Sequence, residues 1–517
     1  MKHSKKLASL LLALVMALSL AVTAFADEST TYSITINNST AGHTYEAYQI
    51  FTGDLATNEA GNKVLSNIVW GPGVSEAGQT ALGDAAAKAE TLKTEADAKA
   101  FAKAVAPYLT TAAGSANTVT DGKYVISGLA AGYYLVKDQD GSLIGDNDSY
   151  TEYIIQVVGN VTATPKSDVP EVQKKVKDIN DSTDTTKTDW QDSADYDIGD
   201  SIPFQLKATL ADNVSSYTTY KVVFHDTLSK GLTYNNDAKV YIDGTETNGF
   251  TVTATVNADG ITTLTVSCDD VKALGAGNSS VITVEYTAKL NENAVLGSAG
   301  NPNEVYLEYS NNPNKSEEGN NETGETPKDV VIVFTYKTII NKVDSETKPL
   351  TGAAFKLEKL IKGEDGAADT WTTIKEFAVD GTTTSFTFSG LDDGQYKLTE
   401  TKTPVGYNTI DPIYFVIEAT HGETADVPTL KTLNAYLTDA NGNKQTEMKD
   451  GESVNIDLGT VDLTAGSITT TVVNKSGSEL PSTGGIGTTI FYVLGGVLVL
   501  AAVVLLVTKK RMSGAEK

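Results

Sequence analysis

Three kinds of side chain recur in this 517-residue chain where a β-strand would turn them inward: a lysine, a carboxylate and an asparagine. In the C-terminal third, Tyr396, Leu398 and Glu400 fall on one face of a strand by two-residue alternation, and so do Ile468, Val472 and Asn474. Acid and amide therefore point where the apolar residues point. Lys342 follows Ile339 and Ile340 and precedes Val343, apolar residues that occupy both faces, so periodicity does not decide its side. In the middle third, Val172, Lys174 and Val176 share a face while Lys175 takes the other. Val222, Phe224 and Asp226 line up in the same way, and Asn303, Val305, Leu307 and Tyr309 alternate inward with Asn311 in phase as a rival amide. Buried, such groups are reactive. Desolvation lowers a lysine's pKa toward the neutral, nucleophilic amine, and raises that of a carboxylic acid until it can polarise a carboxamide and relay protons.

The elements that must position these groups read as β-structure. Short runs rich in Val, Ile, Thr and Tyr are broken by Gly, Asn and Asp turns, as in 32–36, 153–158, 221–225, 281–286 and 330–335. One segment differs: 75–108 is Ala-rich with interspersed Lys and Glu, and predicts one or two helices confined to the first domain. Two prolines, Pro165 and Pro170, break the chain around Lys166, Ser167 and Asp168. The tract 311–327 is polar, without apolar periodicity, and predicts a loop or linker. These junctions give domains at 27–165, 167–327 and 328–478, about three for some 450 residues.

Both ends carry targeting signals. Lys2, Lys5 and Lys6 precede the apolar stretch 7–22, and Ala24-Phe25-Ala26 fits a signal-peptidase site, so residues 1–26 read as a signal peptide. At the other end Leu480-Pro481-Ser482-Thr483-Gly484 precedes the uncharged run 489–507, long enough for a transmembrane helix, and then Lys509-Lys510-Arg511. The basic tail orients that helix with everything before it outside. A single cysteine, Cys268, forbids an intrachain disulfide. A net charge of −26 argues against nucleic acid as a partner. Four histidines and one cysteine leave little for a transition-metal centre or a Cys/His nucleophile pair, and no GxSxG or HExxH string is present. Neither metal, cofactor nor enzymatic turnover is expected.

The motifs together carry a resemblance. Residues 480–517 resemble the cell-wall sorting signal of Gram-positive surface proteins, in which a sortase cleaves LPxTG between Thr and Gly. The strings Lys342-Val343-Asp344, Pro349-Leu350-Thr351-Gly352-Ala353-Ala354-Phe355, 396–401 and Pro404-Val405-Gly406-Tyr407 resemble a Cna B-type domain, with Lys402-Thr403 a departure before the proline. The middle domain resembles the Cna A-like domain of backbone pilins, as does 42–51 their N-terminal part. The resemblance implies a mainly β protein of tandem Ig-like, Cna-type β-sandwiches, the first with an inserted helix. It implies Lys174–Asn303 and Lys342–Asn474 isopeptide bonds, formed once and autocatalytically, with Asp226 and Glu400 as proton shuttles. It also implies that sortase joins Thr483 of one subunit to a lysine at the first domain junction. Here that lysine is Lys166, in Thr-Pro-Lys rather than the family's Tyr-Pro-Lys, with Lys175 or Lys177 next in line. The expected function is that of the major subunit of a covalently polymerised pilus on the cell wall. Its partners are sortase, further copies of itself and peptidoglycan, with accessory pilins and host-surface ligands as further candidates. The alternative is a monomeric LPxTG wall-anchored adhesin. The first domain lacks the reactive set: its opening strand has no lysine, and Lys137 stands where the acid belongs, so it is expected to be the labile one.

Overall fold

The computed structural model describes residues 30–165, 168–183, 189–317, 319–363 and 367–477. The signal peptide, Lys166, Ser167, the LPSTG motif and the expected membrane span lie outside them. Among the described residues no helix is long and apolar enough to cross a membrane.

Alternating apolar residues build tandem β-sandwiches, as the sequence predicts. In the first, strand Tyr32–Asn37 runs between Lys123–Leu129 and Val161–Ala163, facing a five-stranded sheet centred on Tyr45–Thr57 and Gly132–Asp138. Its Ala-rich segment forms three short helices, Glu76–Leu82, Ala85–Thr91 and Glu95–Val105, plus a 3-10 turn, where one or two helices were expected. Capping explains the division. Ser75, Asp84 and Thr94 each accept a backbone N–H at a helix start, and Gly83 ends the first helix at φ 87°. The helices bury Ala85, Ala89, Phe101 and Val105 against Phe51, Tyr133 and Leu135.

The middle sandwich packs a seven-stranded sheet on a six-stranded one around Phe204, Phe224, Leu264, Tyr286 and Leu307. Strand Asp329–Phe334, which the sequence analysis assigns to the third domain, pairs instead with Asn301–Ser310 and with Ser193–Asp195. The last strand of the middle sandwich thus lies beyond residue 327. The polar tract before it is not a free linker. Asn311, Asn312 and Ser316 are buried. Tyr150 N–H donates to Asn311 O at 2.9 Å, and Gly145 N–H to Thr323 O at 2.9 Å, which folds the tract against the first domain. Periodicity misses this because the tract is held by polar groups satisfying one another, not by an apolar face. In the third sandwich, the opening strand Tyr336–Val343 lies parallel and adjacent to the closing strand Ser467–Val473, with Lys342 opposite Val472. A five-stranded sheet containing Gly394–Lys402 covers them.

The first sandwich is pinned by a charge cluster. His43 Nδ1 lies 2.7 Å from Asp138 Oδ1 and Nε2 lies 2.8 Å from Asp148 Oδ2, all three residues buried. Burial alone would lower the imidazole pKa, but hydrogen bonds and charge from the two carboxylates prevail and hold it at about 9. A histidine whose folded pKa is raised adds stability that is whole below its unfolded pKa, about 6.5, and is lost as pH rises through its folded value. The loss is on the order of 3 kcal/mol. Trypsin cleavage within 30–165 is therefore expected to accelerate between about pH 7 and pH 10 in the wild type, relative to a trypsin activity control. His43→Gln should be cleaved faster at pH 7 and lose most of that pH dependence; an unchanged pH profile would show that the imidazolium is not the cause.

Candidate functional site

Two lysine centres lie in the cores of the middle and third sandwiches, and they are built differently. Lys174 belongs to strand Glu171–Val176, which pairs with Ser201–Thr209 in the six-stranded sheet, while Asp226 and Asn303 belong to neighbouring strands of the opposite sheet. The amine therefore crosses the sandwich. Its Nζ donates to Asp226 Oδ1 at 2.5 Å and lies 3.1 Å from the Tyr286 hydroxyl. That hydroxyl donates to Asp226 Oδ2 at 2.5 Å and accepts from Asn303 Nδ2 at 2.8 Å. Amine, acid and amide thus meet through one phenol. Burial pulls the Lys174 amine below its ordinary pKa and pushes the Asp226 carboxyl up, each partly opposed by the other's charge. Both shifts favour moving a proton from lysine to aspartate, which leaves a neutral amine beside a carboxylic acid.

In the third sandwich amine and amide share a sheet. Lys342 is on the buried face with Tyr336, Thr338 and Ile340, which answers the side that periodicity leaves open. Its Nζ donates to the carbonyls of Val343 at 3.1 Å and Val472 at 3.0 Å, and burial lowers its pKa. Asn474, one residue past the parallel strand, donates from Nδ2 to both Glu400 oxygens at 3.0 Å and to Asn408 O at 2.9 Å. Glu400 reaches in from the covering sheet and also accepts from Ile410 N–H at 3.2 Å.

The amides at the two centres share one property. Asn303 Oδ1 and Asn474 Oδ1 are buried without a hydrogen-bond partner. Such an oxygen costs about 1–3 kcal/mol in a settled core. Rotating either carboxamide by half a turn would exchange its oxygen and nitrogen, and place the oxygen toward the group that now accepts from Nδ2.

The remaining candidates go elsewhere. Lys175 is partly exposed and paired with Asp192, and Lys177 lies over the Trp190 ring. Asn311 donates to Leu143 O at 2.7 Å, in the contact with the first domain and away from Lys174. In the first sandwich Lys137 pairs with Asp140 at 2.5 Å. Sequence reasoning missed Tyr286, although Ile282, Val284, Tyr286 and Ala288 alternate into the core and a tyrosine in that row has a hydroxyl to satisfy. It also missed the carbonyl of Asn408, for which no side-chain signal exists.

Three family models match the chain. Residues 198–313 match a Gram-positive pilin backbone subunit, Cna-B-like domain; 337–432 match a prealbumin-like fold domain; and 472–513 match an LPXTG cell wall anchor motif. The trypsin-resistant surface T6 protein of Streptococcus pyogenes serotype M6 is 26% identical over 460 residues, covering 76% of this chain and 77% of the relative. The T6 backbone pilin structure from the same serotype superposes with a TM-score of 0.55 at 19% identity, covering 87% of this chain and 100% of that one, and supports the fold. The full-length major pilin SpaD of Corynebacterium diphtheriae is 18% identical, with 88% and 99% covered and a TM-score of 0.48. This chain thus carries a Gram-positive pilin-backbone domain and an LPXTG cell wall anchor motif, and these matches, with the surface-protein relative, support a pilus backbone subunit at the cell surface.

Proposed function

We propose that this pilin hardens itself with two internal isopeptide bonds and is then joined head to tail by sortase. In each reaction the neutral lysine Nζ attacks the asparagine Cγ, a C–N bond forms, and the Cγ–Nδ2 bond breaks. Ammonia leaves with a proton that came from the amine and was relayed by the acid. Asp226 serves Lys174 and Asn303, with Tyr286 as the positioning residue; Glu400 serves Lys342 and Asn474. The observation that carries this reading is the pairing at Lys174, a fully buried amine 2.5 Å from a buried carboxylate, linked through the Tyr286 hydroxyl to Asn303, whose carbonyl oxygen has no partner. Proximity inside the fold replaces an external catalyst.

Polymerisation uses the two elements outside the described residues. Sortase takes Thr483 as an acyl group and passes it to the Lys166 amine of the next subunit; the terminal subunit goes to peptidoglycan. In the sequence Lys166 follows strand Val161–Ala163 and lies between Pro165 and Pro170, at the junction of the first two domains, which is where the family's acceptor lysine falls.

Intact mass tests the internal bonds. The mature protein should weigh about 34 Da less than its sequence, the mass of two ammonia molecules lost in two condensations. Asp226→Ala and Glu400→Ala should each restore about 17 Da by removing one shuttle. Tyr286→Phe should slow the middle-domain reaction without affecting the third. A full sequence mass in the wild type would end the isopeptide reading.

Protease digestion tests their consequence. A link that closes most of a domain restricts the unfolded chain, by about 5 kcal/mol in the chain-entropy model for disulfides. The relative is named for trypsin resistance, and the middle and third sandwiches are expected to share it while 30–165 is cut first. Loss of one bond should expose only its own sandwich. Equal lifetimes for all three sandwiches would contradict the assignment.

Polymerisation is tested in the native host. Lys166→Arg keeps the charge and removes a usable nucleophile, so the high-mass ladder of cell-wall extracts should vanish while single subunits stay anchored. A persisting ladder would move the acceptor to another lysine, and a wild type without a ladder would favour the monomeric adhesin.

A further inference from the structure

The junction between the middle and third sandwiches collects more negative charge than its cations answer. Lys359, fully buried, donates to Asp197 Oδ2 at 2.6 Å and to Asp392 Oδ2 at 3.0 Å, which joins the two domains. Beside this pair, carboxylate oxygens of Asp195, Asp392 and Asp393 lie within 4.8 Å of one another. Asp195 ends a short strand of the middle sandwich, and Asp392 and Asp393 form the turn between two strands of the third. His421 answers Asp195 only in part: its Nε2 stands 3.9 Å from Asp195 Oδ1 and is shared with Asp178 Oδ2 at 3.5 Å, while its Nδ1 is bound to Ser193.

Two buried polar atoms in this cluster lack hydrogen bonds. One is Asp195 Oδ2. The other is the hydroxyl of Tyr336, the first residue of the third sandwich's opening strand, which is fully buried and faces the same carboxylates. Burial first, and neighbouring carboxylates next, hold Asp195 well above the ordinary carboxylate range. For Asp392 burial is again the largest influence, opposed by Lys359 and reinforced by the surrounding acids. The Tyr336 hydroxyl and Asp195 face each other without a well-made hydrogen bond, and three crowded acids share one lysine and one distant imidazole, a poor resting arrangement without a further positive charge.

We propose that a calcium ion binds at this junction, held by carboxylate oxygens of Asp195, Asp392 and Asp393 beside the Tyr336 hydroxyl, and fastens the middle sandwich to the third. The donors are all oxygens, which suits a hard cation, and water can complete its larger and flexible coordination shell. Histidine and cysteine, whose scarcity speaks against a transition-metal centre, take no part in this all-oxygen site. Nor does the proposal depend on the internal cross-links, which lie elsewhere.

The test uses purified mature protein stripped with EDTA and titrated with calcium chloride alone. Equilibrium dialysis should find about one calcium bound per chain, with a Kd of about 10⁻⁴–10⁻³ M, the range of extracellular calcium modules. Protease cleavage at the 178–200 segment should slow on adding calcium, since a ligand that binds only the closed junction stabilises it by mass action. Asp195→Asn should weaken binding at least about tenfold; should that variant fail to fold, Asp393→Asn at the edge of the cluster serves the same purpose. Wild-type protein that takes up no calcium at about 5 mM overturns the proposal, as does wild-type affinity in both variants.

Discussion

An amine cut off from water is the constraint on which the middle and third sandwiches depend. Placing an ammonium in a dry core costs several kcal/mol unless its charge is answered, and removing a partner leaves the remainder exposed to that cost. The two sandwiches answer it differently. Lys174 spans the gap between sheets and meets a carboxylate and a phenol, with Phe204 and Tyr286 rings 5.5 Å from Nζ. Lys342 stays within its own sheet and meets two backbone carbonyls, while the acid is engaged by the amide. A bond made at the first centre would tie sheet to sheet; at the second it would tie the first strand to the last.

The first sandwich has no such amine and solves its own problem reversibly. His43 holds the start of Tyr45–Thr57, the end of Gly132–Asp138 and the loop carrying Asp148 with two charge-assisted hydrogen bonds. That loop also supports the next domain, since the Asp148 carbonyl and Asn147 side chain face the Tyr309 hydroxyl. Weakening the histidine cluster therefore reaches the neighbouring interface, not only its own core.

Much of this was legible in the sequence, for a physical reason: strand alternation is a strict code for which side chains go inward. It placed Lys174, Asp226, Asn303, Glu400 and Asn474 on buried faces, and the structure finds them there. It failed where burial is polar or two-sided. Asn311 is in phase with its strand yet serves a domain contact, because alternation reports that a residue is inside and not what it meets there. The tract 311–327 looked like a linker because its order comes from amides and carbonyls. Lys359 is in phase with the core residues Phe355 and Leu357, yet it escaped notice because its partners Asp197 and Asp392 come from the neighbouring domain and from a turn, which alternation does not report. The helical segment was recognised as helical, but its three-way division depends on capping side chains at Ser75, Asp84 and Thr94.

The parallel neighbours Tyr336–Val343 and Ser467–Val473 give the third sandwich a mechanical character. In the proposed head-to-tail fibre, tension would pull a subunit by its two ends, so load would enter at the start of the first of these strands and leave at the end of the second. In register from Lys337 opposite Ser467 to Val343 opposite Val473, the strands would have to slide past each other in opposite directions. Every rung of the ladder is then strained together, as in a lap joint, whereas a hairpin pulled from its open end gives way one rung at a time. The same adjacency that brings Lys342 beside the Asn474 strand thus sets the direction in which the domain resists being drawn out, and leaves the covering sheet off the load path.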